Sequence, residues 1–147
     1  MQITKQYRTE TAHRLMDYDG KCSHLHGHSY LWEVTAECDD NALTPNGMVM
    51  DFKDLKKSMD DLLDPLDHAL ILQLDDPLLN DGIDAFKKTI TATNGAEPRF
   101  FAWTNNPTAE NMAMWLGVNL QSHMAAGIFI AKVRVWETAT SFAEWKG

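Results

Sequence analysis

An α+β fold, in which two amphipathic helices lie on one face of an antiparallel sheet, is the class predicted by three patterns in this 147-residue chain. Residues 2–14, 28–38 and 128–138 alternate between two kinds of face, the period of a half-buried strand. Residues 52–64 and the stretch opened by Asn106-Pro107-Thr108 repeat instead at helical spacing. The order strand, strand, helix, helix, strand fits one domain over residues 1–147, long enough to bury a core without disulfides.

In the first strand Tyr7, Thr9, Thr11 and His13 share one face, and Gln6, Arg8, Glu10 and Ala12 the other. A polar loop at Asp17-Tyr18-Asp19-Gly20 leads to the second strand, whose even face carries His28, Tyr30, Trp32, Val34 and Ala36. Paired as a hairpin, the two strands bring His13 beside His26 and His28. After a turn at Asn46-Gly47, Asp51 caps a helix over 52–64 with Phe52, Leu55, Met59, Leu62 and Leu63 as its buried stripe. Its Lys and Asp residues form a solvated face, and Pro65 stops it.

Turns are expected at Asp75-Asp76-Pro77 and Asn80-Asp81-Gly82, a short helix over 83–89, a loop over 94–98 and a short strand over 99–103. Asn106 reads as the cap of the second helix, with Pro107 at its first position and Ala109, Met112, Ala113, Leu116 and Leu120 on one face. In the last long strand Phe129, Ala131, Val133 and Val135 share a face that continues to Glu137. A carboxylate is costly to bury unpaired, so either the strand leaves the core there or Glu137 holds a ligand. A short final strand is expected over Ser141–Trp145.

Thirteen basic against 21 acidic residues give a net charge of −8, which argues against a nonspecific nucleic-acid binder. The N-terminus does not resemble a signal peptide, and no run approaches the ~20 apolar residues of a membrane span. Cys22 and Cys38 are too few for a disulfide scaffold, so a reducing, cytoplasmic setting is expected. No glycine-rich phosphate loop or nucleophile elbow is present.

Reactive side chains concentrate in Cys22-Ser23-His24-Leu25-His26-Gly27-His28. His26 and His28, two apart on a strand, present their imidazoles to one side and can grip one ion, and Gly27 permits a close backbone approach. Three imidazoles with an open position suit catalytic zinc, whereas a fourth protein ligand makes a closed structural site. His13 is either the third ligand or a hydrogen-bonded strand residue. Asp67-His68 follows the first helix; a carboxylate beside an imidazole can tune it for proton transfer, although such dipeptides also arise by chance.

Taken in order, His13, Cys22-x-x-x-His26-Gly27-His28, Asp51-Phe52 with Leu55-Lys56, Leu66-Asp67-His68, Asn106-Pro107-Thr108-Ala109-Glu110-Asn111 and Glu137-Thr138 resemble the 6-pyruvoyltetrahydropterin synthase family over nearly the whole chain. The spacing is most similar to the bacterial 6-carboxytetrahydropterin synthases of queuosine biosynthesis. The resemblance implies the tunnelling fold (T-fold), in which sheets from several subunits close into a barrel, and a homohexamer built as a dimer of trimers with active sites between subunits. It implies Zn2+ on His13, His26 and His28, with Cys22 as catalytic thiol and Asp67 and His68 as a catalytic acid–histidine pair. Glu137 would anchor the pterin ring, and Thr108 would join it in binding substrate. The implied lyase reaction converts 7,8-dihydroneopterin triphosphate to 6-carboxytetrahydropterin, releasing triphosphate and acetaldehyde, in queuosine and 7-deazaguanine biosynthesis. The alternatives are 6-pyruvoyltetrahydropterin synthase, which eliminates triphosphate only, and a noncatalytic zinc-stabilised protein in which Cys22 closes the site.

Overall fold

The first strands, β1 (Gln2–His13) and β2 (His26–Glu37), pair antiparallel along their whole length, with Gln2 opposite Glu37 and His13 opposite His26. The computed structural model describes residues 1–80, 84, 95, 96 and 98–147. The turn expected at Asn80-Asp81-Gly82, the helix over 83–89 and the loop over 94–98 fall wholly or partly outside the described residues. The remaining strands are β3 (Ala69–Gln73), β4 (Phe100–Trp103), β5 (Phe129–Thr138) and β6 (Ser141–Lys146), and the helices are α1 (Phe52–Leu63), α2 (Pro77–Asn80) and α3 (Ala109–Gln121).

The six strands form one sheet in the order β4-β3-β1-β2-β5-β6. Strands β1, β2, β5 and β6 are antiparallel as expected, but β3 runs parallel to β1 and β4 parallel to β3. The sheet is therefore mixed. Strand β3 was not expected because Ala69, Leu70, Ile71 and Leu72 are all buried, so the segment is a short apolar run without alternation.

The helix-facing side of the sheet buries Tyr30, Trp32, Val34 and Ala36 from β2 against Leu55, Met59 and Leu63 of α1 and Met112, Leu116 and Leu120 of α3. Each large apolar side chain removed from water in this layer contributes about 1.5–3 kcal/mol. Asp51 caps α1 by accepting the Lys53 N–H at 2.7 Å, although Phe52 remains half exposed instead of joining the stripe. Helix α3 is capped by Thr108, whose hydroxyl accepts the Asn111 N–H at 3.3 Å, and not by Asn106. Asn106 is displaced from that role because its carboxamide is engaged with the Met16 backbone.

Strand β5 also departs from simple alternation. Thr35 pairs with Lys132 but Ala36 pairs with Ile130, so Ala131 is an extra residue. The bulge turns Ile130 into the core and leaves Phe129 exposed, while Val133 and Val135 stay buried as expected. No helix among the described residues is long and apolar enough to cross a membrane.

The exit of β1 is anchored by an ion pair. The guanidinium of Arg14 donates to both oxygens of Asp76, from Nε at 2.7 Å and also from Nη2, and Asp76 is fully buried. Burial pushes the Asp76 carboxyl up, but the Arg14 and Leu78 hydrogen bonds outweigh it and hold the group below its ordinary value. A depressed carboxyl stabilises the fold above its unfolded-state pKa and loses that contribution as pH falls through the folded value. Arg14→Ala strands a buried carboxylate. It is expected to cost about 3 kcal/mol in urea unfolding and to move acid unfolding to higher pH; a loss below about 0.5 kcal/mol would show that the pair contributes little.

Candidate metal centre

Hairpin register brings the histidines together. His13 lies opposite His26, and Thr11 opposite His28. At Gly27 between them an added Cβ would come 3.2 Å from the Thr11 carbonyl oxygen, so a side chain there would crowd β1. His13 is 1% exposed, and its Nδ1 donates to the Pro107 carbonyl at 2.8 Å. His26 Nδ1 donates to the His24 carbonyl at 2.8 Å. A carbonyl only accepts, so both rings carry a proton on Nδ1, and each ring in its neutral form presents a bare Nε2 lone pair.

Those two Nε2 atoms face each other at 3.1 Å, and His28 Nε2 is buried with no hydrogen-bond partner. Lone pairs opposed at this distance repel unless a cation lies among them. Burial foremost lowers the pKa of both His13 and His28, which favours the neutral form of those two rings. The three ligand atoms all lie within 4.8 Å of one another. Three neutral imidazoles, two oriented by carbonyls, fit a metal ion with an open coordination position.

Beside this cluster Tyr30, fully buried, donates its hydroxyl to Glu137 Oε1 at 3.3 Å. That same oxygen lies 3.5 Å from His13 Nε2 and 3.4 Å from His28 Nε2. The odd face of β5 thus ends with a carboxylate turned onto the histidines, not with a strand leaving the core. The Tyr30 phenol is held far above its ordinary pKa by burial first, then by Glu137 and Cys22, so it remains a donor. Cys22, half buried, sits in a 3-10 turn over Lys21–Ser23 whose Cys22 carbonyl accepts the Leu15 N–H at 2.8 Å.

Asp67 and His68 stand at the entry to β3, which pairs with the end of β1. His68 adopts a left-handed backbone, φ 54°, and its N–H donates to the Glu10 carbonyl at 2.7 Å. Its ring is 74% exposed, with Nδ1 at 3.0 Å from Asp67 Oδ2. Burial pushes Asp67 up, but hydrogen bonds from the Glu10 N–H and from His68 outweigh it and leave the carboxyl below its ordinary value. His68 borders an open groove of about 550 Å³ lined also by Glu10, Gly27, His28, Ser29 and Arg99. Among the described residues, no hydrogen bond or ion pair joins Asp67 or His68 to Cys22 or the histidine cluster. The Thr108 hydroxyl accepts the Asn111 N–H at the cap of α3, with its own proton not engaged there. The sequence patterns did not single out Tyr30, Asn106 or the Pro107 carbonyl as parts of the site; a hydroxyl in an otherwise apolar row was the available signal for Tyr30.

Over residues 2–147 the chain matches the family described as 6-pyruvoyl tetrahydropterin synthase. It is 33% identical to a 6-carboxy-5,6,7,8-tetrahydropterin synthase of Aquifex aeolicus, covering 99% of this chain and 97% of that protein. A protein of the same name from Haemophilus influenzae is also 33% identical, over 98% and 97% of the two chains. Among solved structures, an uncharacterised protein of Wolinella succinogenes superposes with a TM-score of 0.81 at 25% identity, covering 100% of this chain and 98% of that one. The 6-pyruvoyl tetrahydropterin synthase of Caenorhabditis elegans superposes at 0.65 with 27% identity over 100% and 95%.

Titration with Zn2+ checks the donor set. His13→Ala, His26→Ala and His28→Ala are each expected to abolish tight binding, and Cys22→Ala to retain it. Loss of binding in the cysteine variant would mean a closed four-ligand site.

Proposed function

The chain belongs to the 6-pyruvoyl tetrahydropterin synthase family, and on that premise we propose that it is a zinc-dependent lyase converting 7,8-dihydroneopterin triphosphate to 6-carboxytetrahydropterin, with release of triphosphate and acetaldehyde. The observation that carries the metal reading is the convergence of three Nε2 atoms, one of them buried without a partner, beside Glu137. The carboxy product is supported by the names of the bacterial relatives at 33% identity over nearly the full length. With that product, the proposed role lies in queuosine and 7-deazaguanine biosynthesis, in the cytoplasm.

Zinc held by His13, His26 and His28 would supply Lewis-acid polarisation of the substrate's side-chain hydroxyl and carbonyl oxygens. The residues around it divide the remaining work. The Pro107 and His24 carbonyls keep His13 and His26 in the ligating tautomer. Glu137 accepts hydrogen bonds from the guanidine-like edge of the pterin, in the bidentate manner of carboxylates, while Tyr30 holds its Oε1. The Thr108 hydroxyl accepts from Asn111 and keeps its own proton to donate to substrate.

Cys22 moves the proton at carbon, and His68, oriented by Asp67, exchanges protons with it. Within one chain His68 has Asp67 as its side-chain partner and no hydrogen bond to Cys22 among the described residues, and a site completed by a neighbouring subunit, as in a homohexamer, would supply that link. The 6-pyruvoyl reaction, triphosphate elimination alone, is the competing outcome; the three-residue gap between Cys22 and His26 favours the carboxy enzyme. A noncatalytic zinc-stabilised protein leaves Glu137, Asp67 and His68 without a role.

Mass analysis after incubation with dihydroneopterin triphosphate decides the reaction. Acetaldehyde with a carboxypterin is expected, and a pyruvoyl pterin without acetaldehyde would overturn the assignment. In the same assay Glu137→Ala is expected to weaken pterin binding about 10- to 100-fold, the scale of a charged hydrogen bond, with zinc content unchanged.

A further inference from the structure

Asn106 lies outside the ligand set and outside the helix it was expected to cap, yet it makes more directed contacts than a loop residue needs. Its Oδ1 accepts the Met16 N–H at 2.6 Å and its Nδ2 donates to the Met16 carbonyl at 2.9 Å. The carboxamide thus pairs with both backbone groups of one residue, across 90 positions of sequence. Its own carbonyl accepts from Asn111 Nδ2 at 2.8 Å and from the Thr108 N–H at 2.8 Å, which fixes it to the start of α3.

Between these anchors sits Pro107, buried, whose carbonyl receives the His13 Nδ1 proton. The segment leaving β1 is therefore held at His13 through Pro107 and at Met16 through Asn106. We propose that Asn106 is a positioning residue: by clamping Met16 to the first turn of α3, it aims the Pro107 carbonyl at His13 and so fixes the ring in the tautomer that presents Nε2. Asparagine suits the position because it donates and accepts at once; aspartate would only accept, and would set a carboxylate oxygen against the Met16 carbonyl.

The competing view is a loop staple that contributes to stability alone. Helix α3 supplies the control, since Gln121 makes a similar clamp at its other end, donating to the Ile128 carbonyl at 3.1 Å and accepting the Ile130 N–H at 2.8 Å. The inference rests on the metal reading above for its affinity arm only. In the full chain without metal, 15N NMR of His13 is expected to show Nδ1 protonated in the wild type and a mixture of tautomers in Asn106→Ala. Competition with a chelator is expected to show Zn2+ affinity lowered about 10- to 100-fold in that variant, the range typical of lost support behind a ligand.

Gln121→Ala is expected to lower stability and to move neither readout. Should Asn106→Ala not fold, Asn111→Ala removes only the strut to the Asn106 carbonyl and is expected to move both readouts in the same direction by less. Wild-type tautomer and zinc affinity in a folded Asn106 or Asn111 variant would overturn the inference. A wild-type chain that binds no zinc would overturn the metal reading instead, and the tautomer measurement would still decide the role of Asn106.

Discussion

One pairing register carries both the core and the candidate metal centre. With His13 opposite His26, the row Tyr30, Trp32, Val34 and Ala36 faces the helices, and His28 continues that row at its end. A slip of one residue would turn the whole row to solvent and separate the imidazoles. Burial of those side chains, at about 1.5–3 kcal/mol for each large one, therefore holds in place a contact that is unfavourable by itself: two Nε2 lone pairs at 3.1 Å. Hydrophobic free energy preorganises the donors, so an arriving cation need not assemble them.

The electrostatics around the donors point the same way. Burial depresses the pKa of His13 and His28 and keeps their rings neutral, as ligation requires. The same burial keeps Tyr30 protonated, so its hydroxyl donates to Glu137 and does not add a second anion. Glu137, 31% exposed, remains at the boundary where a polar ring could reach it. The ion pair of half-buried Arg14 with buried Asp76 ties down the backbone immediately after His13.

What was legible in the sequence was whatever obeyed a simple period. Alternation in β1 and β2 placed His13, His26 and His28 on one face, and alternation in β5 carried the eye to Glu137. Strand β3 escaped because burial on both faces removes alternation. The bulge at Ala131 escaped because an extra residue leaves no compositional trace, and it reversed the assignments of Phe129 and Ile130. Asn106 and Thr108 are both good caps, and the choice between them was made by Met16, 90 residues away. The left-handed backbone of His68 and the parallel pairing of β3 with β1 are likewise encoded by no local pattern.

In the proposed centre three imidazoles, and no thiolate, hold the metal ion. X-ray absorption on the zinc-loaded protein tests it most directly. Nitrogen and oxygen scatterers at about 2.0–2.1 Å, with imidazole scattering from His13, His26 and His28, are expected. A sulfur shell at about 2.3 Å would put Cys22 on the metal, close the site, and contradict its assignment as a free catalytic thiol.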